Sequence, residues 1–215
     1  MLIDAVEWLG HSGFRIRAGR ASIYVDPYRA PDGPVADAIL ITHGHYDHFS
    51  PQDLERLSGP DTTVVAPAPV AERLSGQVRS IAPGEVLELG RIDVRGIAAY
   101  NTSKRDPSGN PFHPREAGWV GYELRVGGER LYHSGDTDVI PEMDAVTGVD
   151  VALLPVSGTY VMTAQEAAEA ARRIQPRVAV PMHWGENLGT RDDAMAFARQ
   201  APEGVEVRIM DKASR

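Results

Sequence analysis

No cysteine occurs in the 215 residues, which removes disulfides, thiolate metal sites and thiol nucleophiles together. Any metal site must therefore be built from histidine, aspartate or glutamate. Long apolar runs are also missing, so no stretch is able to span a bilayer and membrane insertion is not expected. Positive charge is scarce: 22 Lys and Arg face 30 Asp and Glu, a net charge of -8. That balance argues against broad attraction to nucleic acid or anionic membrane and makes a small-molecule substrate the expected partner. The opening MLIDAVEWLG has no basic segment leading into an apolar one, so no signal or transit peptide is expected and the cytoplasm is the expected location. With 42% hydrophobic and 24% charged residues, and no repeat or low-complexity linker, the chain fits a single domain over 1–215. A homo-oligomer is compatible with these numbers and is not specified by them.

What is present reads as many short strands and few helices. AVEWL, FRIRA and SIYVDP cluster apolar and β-branched residues between Gly and Pro, the pattern of an N-terminal β meander. AILIT, TTVVAP, VRSIA, EVLEL, IDVRGIAAY, VGYELRVG, ERLYHSGD, DVALLPVS, RVAVPMHWG and VEVRIM are further expected strands. Helices are expected at SPQDLERLS, where Ser50 suits an N-cap and Pro51 the first helical position, and at PVAERLS. Two more are expected at TAQEAAEAARRIQP, with Thr163 and Glu166 spaced as a capping box, and at RDDAMAFARQA. Ala167, Ala171 and Ile174 give the third helix a packing face of mostly small residues. Strands interrupted by helices predict a layered α/β arrangement. The longest irregular stretch, 101–118, is polar and long enough to expect a role in function.

Residues 39–50, ILITHGHYDHFS, hold three of the seven histidines on a loop between a strand and a helix. Alternation places His43, His45 and Asp47 on one side, while His48 turns toward the helix. Two neighbouring cations suit this spacing, the nearer histidines on one and Asp47 with His48 on the other.

His43, His45, Asp47 and His48 match the HxHxDH motif, and here the chain resembles the metallo-β-lactamase superfamily. Asp26 in YVDP, Asp136 in HSGDTD and His183 in PMHWG follow in the order that resemblance implies. WLGHSGF, GDT and the TAQEAA…VPMHWG tail look most like the branch containing ascorbate-6-phosphate lactonase and N-acylphosphatidylethanolamine phospholipase D. The resemblance implies a four-layer αββα sandwich with the ligands at one edge of two sheets, Asp136 bridging both metals and His183 completing the second site. Asp26 is either a histidine-orienting carboxylate or an Asp-Pro turn initiator. One departure stands out: the histidine that the resemblance implies at the end of the strand IDVRGIAAYN is replaced by Tyr100 and Asn101. His113 in NPFHP is the candidate third ligand of the first metal, with the Asn101 amide oxygen as its rival. His133, at odd spacing from Asp136, suits a packed structural role. His11, in a Gly-flanked turn, is a candidate proton donor or second-layer group, and Tyr160, after DVALLPVS, a candidate substrate contact.

Two divalent ions, zinc foremost, with manganese, iron and nickel also compatible, acidify a shared water and hold it as hydroxide for attack on a carbonyl or phosphoryl group. Asp47 would orient that water and take its proton. The expected activity is hydrolysis of a small anionic ester, phosphodiester or lactone, with Lys104, Arg105 and Arg115 available to attract a negative group. A metal-binding or regulatory module of the same fold without turnover is the alternative. A di-iron redox role is disfavoured by the lack of a flavin-binding partner domain and by His rather than Glu at His45.

Overall fold

The computed structural model describes residues 1–90, 92–185 and 188–214. The N-terminal half forms a six-stranded sheet from β1 (Val6–Gly10), β2 (Gly13–Ala18), β3 (Ala21–Val25), β4 (Ala38–Leu40), β5 (Thr63–Ala66) and β6 (Val78–Ser80), side by side in that order. The first three pair antiparallel and the rest parallel. The second sheet has seven strands: β7 (Val86–Leu89), β8 (Ile92–Ala98), β9 (Val120–Val126), β10 (Glu129–His133), β11 (Val151–Pro155), β12 (Val178–Met182) and β13 (Glu206–Val207). Its β7 to β10 portion is an antiparallel meander, and β10 to β13 run parallel.

Alternation along β4 produces the layers. Ile39 and Ile41 face Leu54 and Leu57 of α1 (Pro51–Leu57) and Val70 of α2 (Ala68–Ala71), while Ala38 and Leu40 join Phe14, Ile16, Tyr122 and Leu124 between the sheets. On the far side, α3 (Ala164–Ile174) and α4 (Arg191–Gln200) connect the parallel strands and bury Ala167, Ala171, Ile174 and Phe197. The result is the αββα sandwich. Tyr122 stitches the two sheets together, its hydroxyl donating to the Ile41 carbonyl at 2.7 Å.

Local chemistry sets the helix ends as the sequence suggests. Ser50 caps α1 by accepting from the Asp53 N–H, and α3 opens on the Thr163–Glu166 capping box. α3 stops where Gln175 turns left-handed at φ 50° ahead of Pro176. Each expected strand forms, although β13 keeps only two residues of VEVRIM and α2 only four residues beginning at Ala68. Three 3-10 turns, Leu2–Ala5, Arg115–Ala117 and Pro141–Val146, were not expected from periodicity. Among the described residues, no helix is long and apolar enough to cross a membrane.

Candidate metal centre

The strand order brings the chemistry to one edge. His11 follows β1, Asp26 follows β3, Thr42 and His43 follow β4, Asn101 follows β8, Asp136 follows β10, Ser157 follows β11 and His183 follows β12. His11, Asp26 and His183 have φ of 51°, 44° and 56°, three of the five left-handed non-glycine residues among those described. Such strain persists where surrounding contacts over-determine it. Here the His183 N–H donates to the His11 carbonyl at 2.9 Å, the Trp8 indole donates to the same carbonyl, and Trp8 stacks on Trp184 at 4.5 Å.

Among the described residues three groups of ligand-type atoms lie within 4.8 Å of one another: one joins Asp26 to His43 and His48, and the other two are His43, His45 and His113, and then His11, Asp47, His48 and His183. Asp136 lies between these last two. Its Oδ2 is 3.2 Å from His113 Nε2 and 3.1 Å from His183 Nε2, and its Oδ1 is 3.4 Å from His48 Nε2. His113 therefore reaches the centre from the long loop. Asn101 does not point its oxygen there: that oxygen accepts from both the backbone N–H and the ring Nδ1–H of His113, each at 2.8 Å.

The same device recurs on three other histidines. Asp26 Oδ2 accepts from His48 Nδ1 at 2.7 Å and from the Thr42 hydroxyl at 2.6 Å, and Thr42 Oγ1 then accepts from His43 Nδ1 at 2.9 Å. Ser157 Oγ lies 2.8 Å from His183 Nδ1. With each Nδ1 occupied by an oxygen, each Nε2 is left to face the interior, the arrangement that orients imidazoles for a cation. His45 turns its Nδ1 toward His43 Nε2 at 3.0 Å.

The donor set fits divalent metal. His48 Nε2, His113 Nε2 and Asp136 Oδ1 are fully buried without a hydrogen-bond partner, a costly condition that a shared cation relieves. Burial, with His48 alongside, pushes His43 well below the ordinary imidazole range, and burial with His113 nearby lowers His45. Burial would lower His48 as well, but Asp136 and Asp26 outweigh it and hold His48 well above that range. Burial would raise Asp136, yet His183, His48 and His113 hold it well below the carboxylate range. Asp47 behaves likewise: burial opposes ionisation, but the hydrogen bond from His11 Nε2 at 3.0 Å brings it down to about 2. Five imidazoles and two carboxylates are a borderline-to-hard donor set that suits first-row divalent metals.

Other sequence expectations fall as follows. His133 is fully buried, bonded through Nε2 to the Ser12 carbonyl and through Nδ1 to the Gly135 N–H, a structural role. Tyr160 backs the long loop, its carbonyl accepting from Asn101 Nδ2 at 3.0 Å and its ring packing edge-on against Phe112. Lys104, Arg105 and Arg115 are engaged elsewhere: Lys104 on Glu166 at 2.6 Å, Arg105 on the Gly109 carbonyl and Arg115 on Glu142. Lys104 and Arg115 are thus paired with carboxylates outside the loop, and Arg105 with a carbonyl within it. Thr42 and Ser157 escaped the sequence reading. Their only signal was a hydroxyl at a strand end, and Ser157 is 26 residues from the histidine it holds.

Comparison with known proteins agrees with this geometry. The beta-lactamase superfamily domain profile matches residues 5–183. A UPF0173 metal-dependent hydrolase of Opitutus terrae is 33% identical over 225 residues, covering 94% of this chain and 95% of its own. A crystal structure from Parabacteroides distasonis, designated a metal-dependent hydrolase, superposes with a TM-score of 0.85 at 32% identity, covering 95% of this chain and 91% of that one. A metallo hydrolase of Ignicoccus hospitalis, at 21% identity and TM-score 0.77, shares the fold. The chain belongs to the metallo-β-lactamase superfamily, within its UPF0173 family of metal-dependent hydrolases.

Proposed function

We propose that the chain, acting as one domain over 1–215, is a two-cation hydrolase of a small anionic ester, phosphodiester or lactone. The single-domain reading draws support from one continuous buried cluster, which joins Phe14 and Ile16 of the N-terminal strands to Val178 and Phe197 near the C-terminus. The observation that carries the activity is the convergence of unpartnered, buried His48 Nε2, His113 Nε2 and Asp136 Oδ1 at the edge of the sandwich. Of the candidate ligands, His43, His45 and His113 would hold one ion, Asp47, His48 and His183 the other, and Asp136 would serve both. Divalent ions held there would supply an acidified water and polarisation of the oxygen of the bond under attack.

The chain's own residues complete the chemistry. Asp47, held ionised, would orient the attacking water and accept its proton, and the hydrogen bond from His11 supports that role by fixing the carboxylate. Tyr160, half-buried beside the loop that carries His113, is the proposed substrate contact. His45 and Asp47 are only partly buried, so the centre opens toward solvent on their side. That opening favours turnover over a module that merely stores metal. Zinc is the expected ion, with manganese, iron and nickel as competitors for the same donors.

The test is hydrolysis of a panel of phosphodiesters and lactones by zinc-loaded protein, before and after exhaustive chelation. Activity on at least one class, lost on chelation and restored by zinc, is expected. Turnover that survives chelation, with metal removal verified, would sink the proposal.

A further inference from the structure

The third histidine of the first site stands at the end of a twelve-residue excursion from Asn101, and a free loop of that length would deliver it poorly. The structure shows what fixes it. Asp138, only 2% exposed, lies beyond Asp136 on the same turn and receives the whole start of the loop. Its Oδ2 accepts from the Thr102 N–H at 2.8 Å, the Ser103 N–H at 2.7 Å and the Ser103 hydroxyl at 2.9 Å, with the Thr102 hydroxyl at 3.2 Å. Its Oδ1 accepts from Asn101 Nδ2 at 3.1 Å. The other end of that amide is the oxygen that holds His113. Farther out, Lys104 pairs with Glu166, the capping-box residue of α3, and Phe112 packs on Tyr160.

We propose that Asp138 is a positioning residue for the first metal site, acting through Asn101 and residues 102–103 to hold His113 at the centre. A carboxylate is required because one oxygen serves several loop donors while the other takes the Asn101 N–H. An asparagine there keeps an oxygen for Thr102 and Ser103 but turns an NH2 toward Asn101 Nδ2. Asn101 cannot flip to accommodate it, since its oxygen is committed to two N–H groups of His113. Groups that support a metal-bound histidine typically account for about 10–100-fold in metal affinity.

The inference rests on the two-cation reading above, and its test uses cation binding rather than turnover. Cobalt(II) is titrated into the metal-free full chain and followed by visible absorption, with bound metal counted by elemental analysis. The proteins are wild type, Asp138→Ala, Asp138→Asn, and Asp138→Ala combined with His113→Ala or His183→Ala. One of two cobalt sites is expected to weaken by about 10–100-fold in Asp138→Ala, and in the same direction in Asp138→Asn should the alanine variant not fold. Asp138→Ala is expected to add little once His113 is gone and to keep its effect when His183 is gone. A merely structural role moves both sites together, and that outcome overturns the proposal, as does additivity with His113→Ala. Wild-type protein that takes up fewer than two cobalt ions would overturn the two-cation reading itself, and with it this inference.

Discussion

Thr42 links a buried carboxylate to an imidazole: its hydroxyl donates to Asp26 and accepts from His43, so a single side chain sets the tautomer of a ligand-type histidine. Asp26 answers the question left by its sequence position. It holds His48 and Thr42 and sits in a left-handed turn before Pro27, doing both things that an Asp-Pro pair suggests. Thr42→Ala removes the acceptor for His43 Nδ1–H and frees that ring to adopt the other tautomer. Zinc affinity is expected to fall about 10–100-fold, with recovery in Thr42→Ser, as read by competition with a chromogenic chelator. Equal loss in the serine variant would show that the methyl group's packing, rather than the hydroxyl, matters.

The strands were legible because alternation and β-branching are local properties, and β4 shows why: Ile39 and Ile41 serve one layer, Ala38 and Leu40 the other. The motif histidines were legible for the same reason, lying within six residues of one another. The loop 101–118 was not, because its partners are distant in sequence. Asp138 is 37 residues from Asn101, and Glu166 is 62 from Lys104. The sequence could place His113 and Asn101 as rivals for one ligand position, but only the fold shows them as partners. α3 tests the element scale. Thr163 caps the helix by accepting from the Glu166 N–H while Glu166 accepts from the Thr163 N–H. Thr163→Ala is expected to cost about 1 kcal/mol, lowering the calorimetric unfolding midpoint by about 2–4 °C. An unchanged midpoint would mean that the box contributes nothing to stability.

On the scale of the whole molecule, two sheets meet so that loops from both end at one edge, and Asp136 stands between the contributions of each. The first sheet supplies His11, His43, His45, Asp47 and His48, and the second supplies His113, Asp136 and His183. The two groups that Asp136 joins draw on both sheets, so metal binding and sheet packing are expected to reinforce one another. The central claim is that two cations bind and that His113, rather than Asn101, completes the first site. Zinc per chain, measured by elemental analysis after equilibrium dialysis at fixed free zinc, tests it most directly. The expected counts are two for wild type, one for His113→Ala and two for Asn101→Ala at saturating zinc, with weaker binding in the last. A wild-type count of one, or a His113→Ala protein that still holds two, would contradict the account.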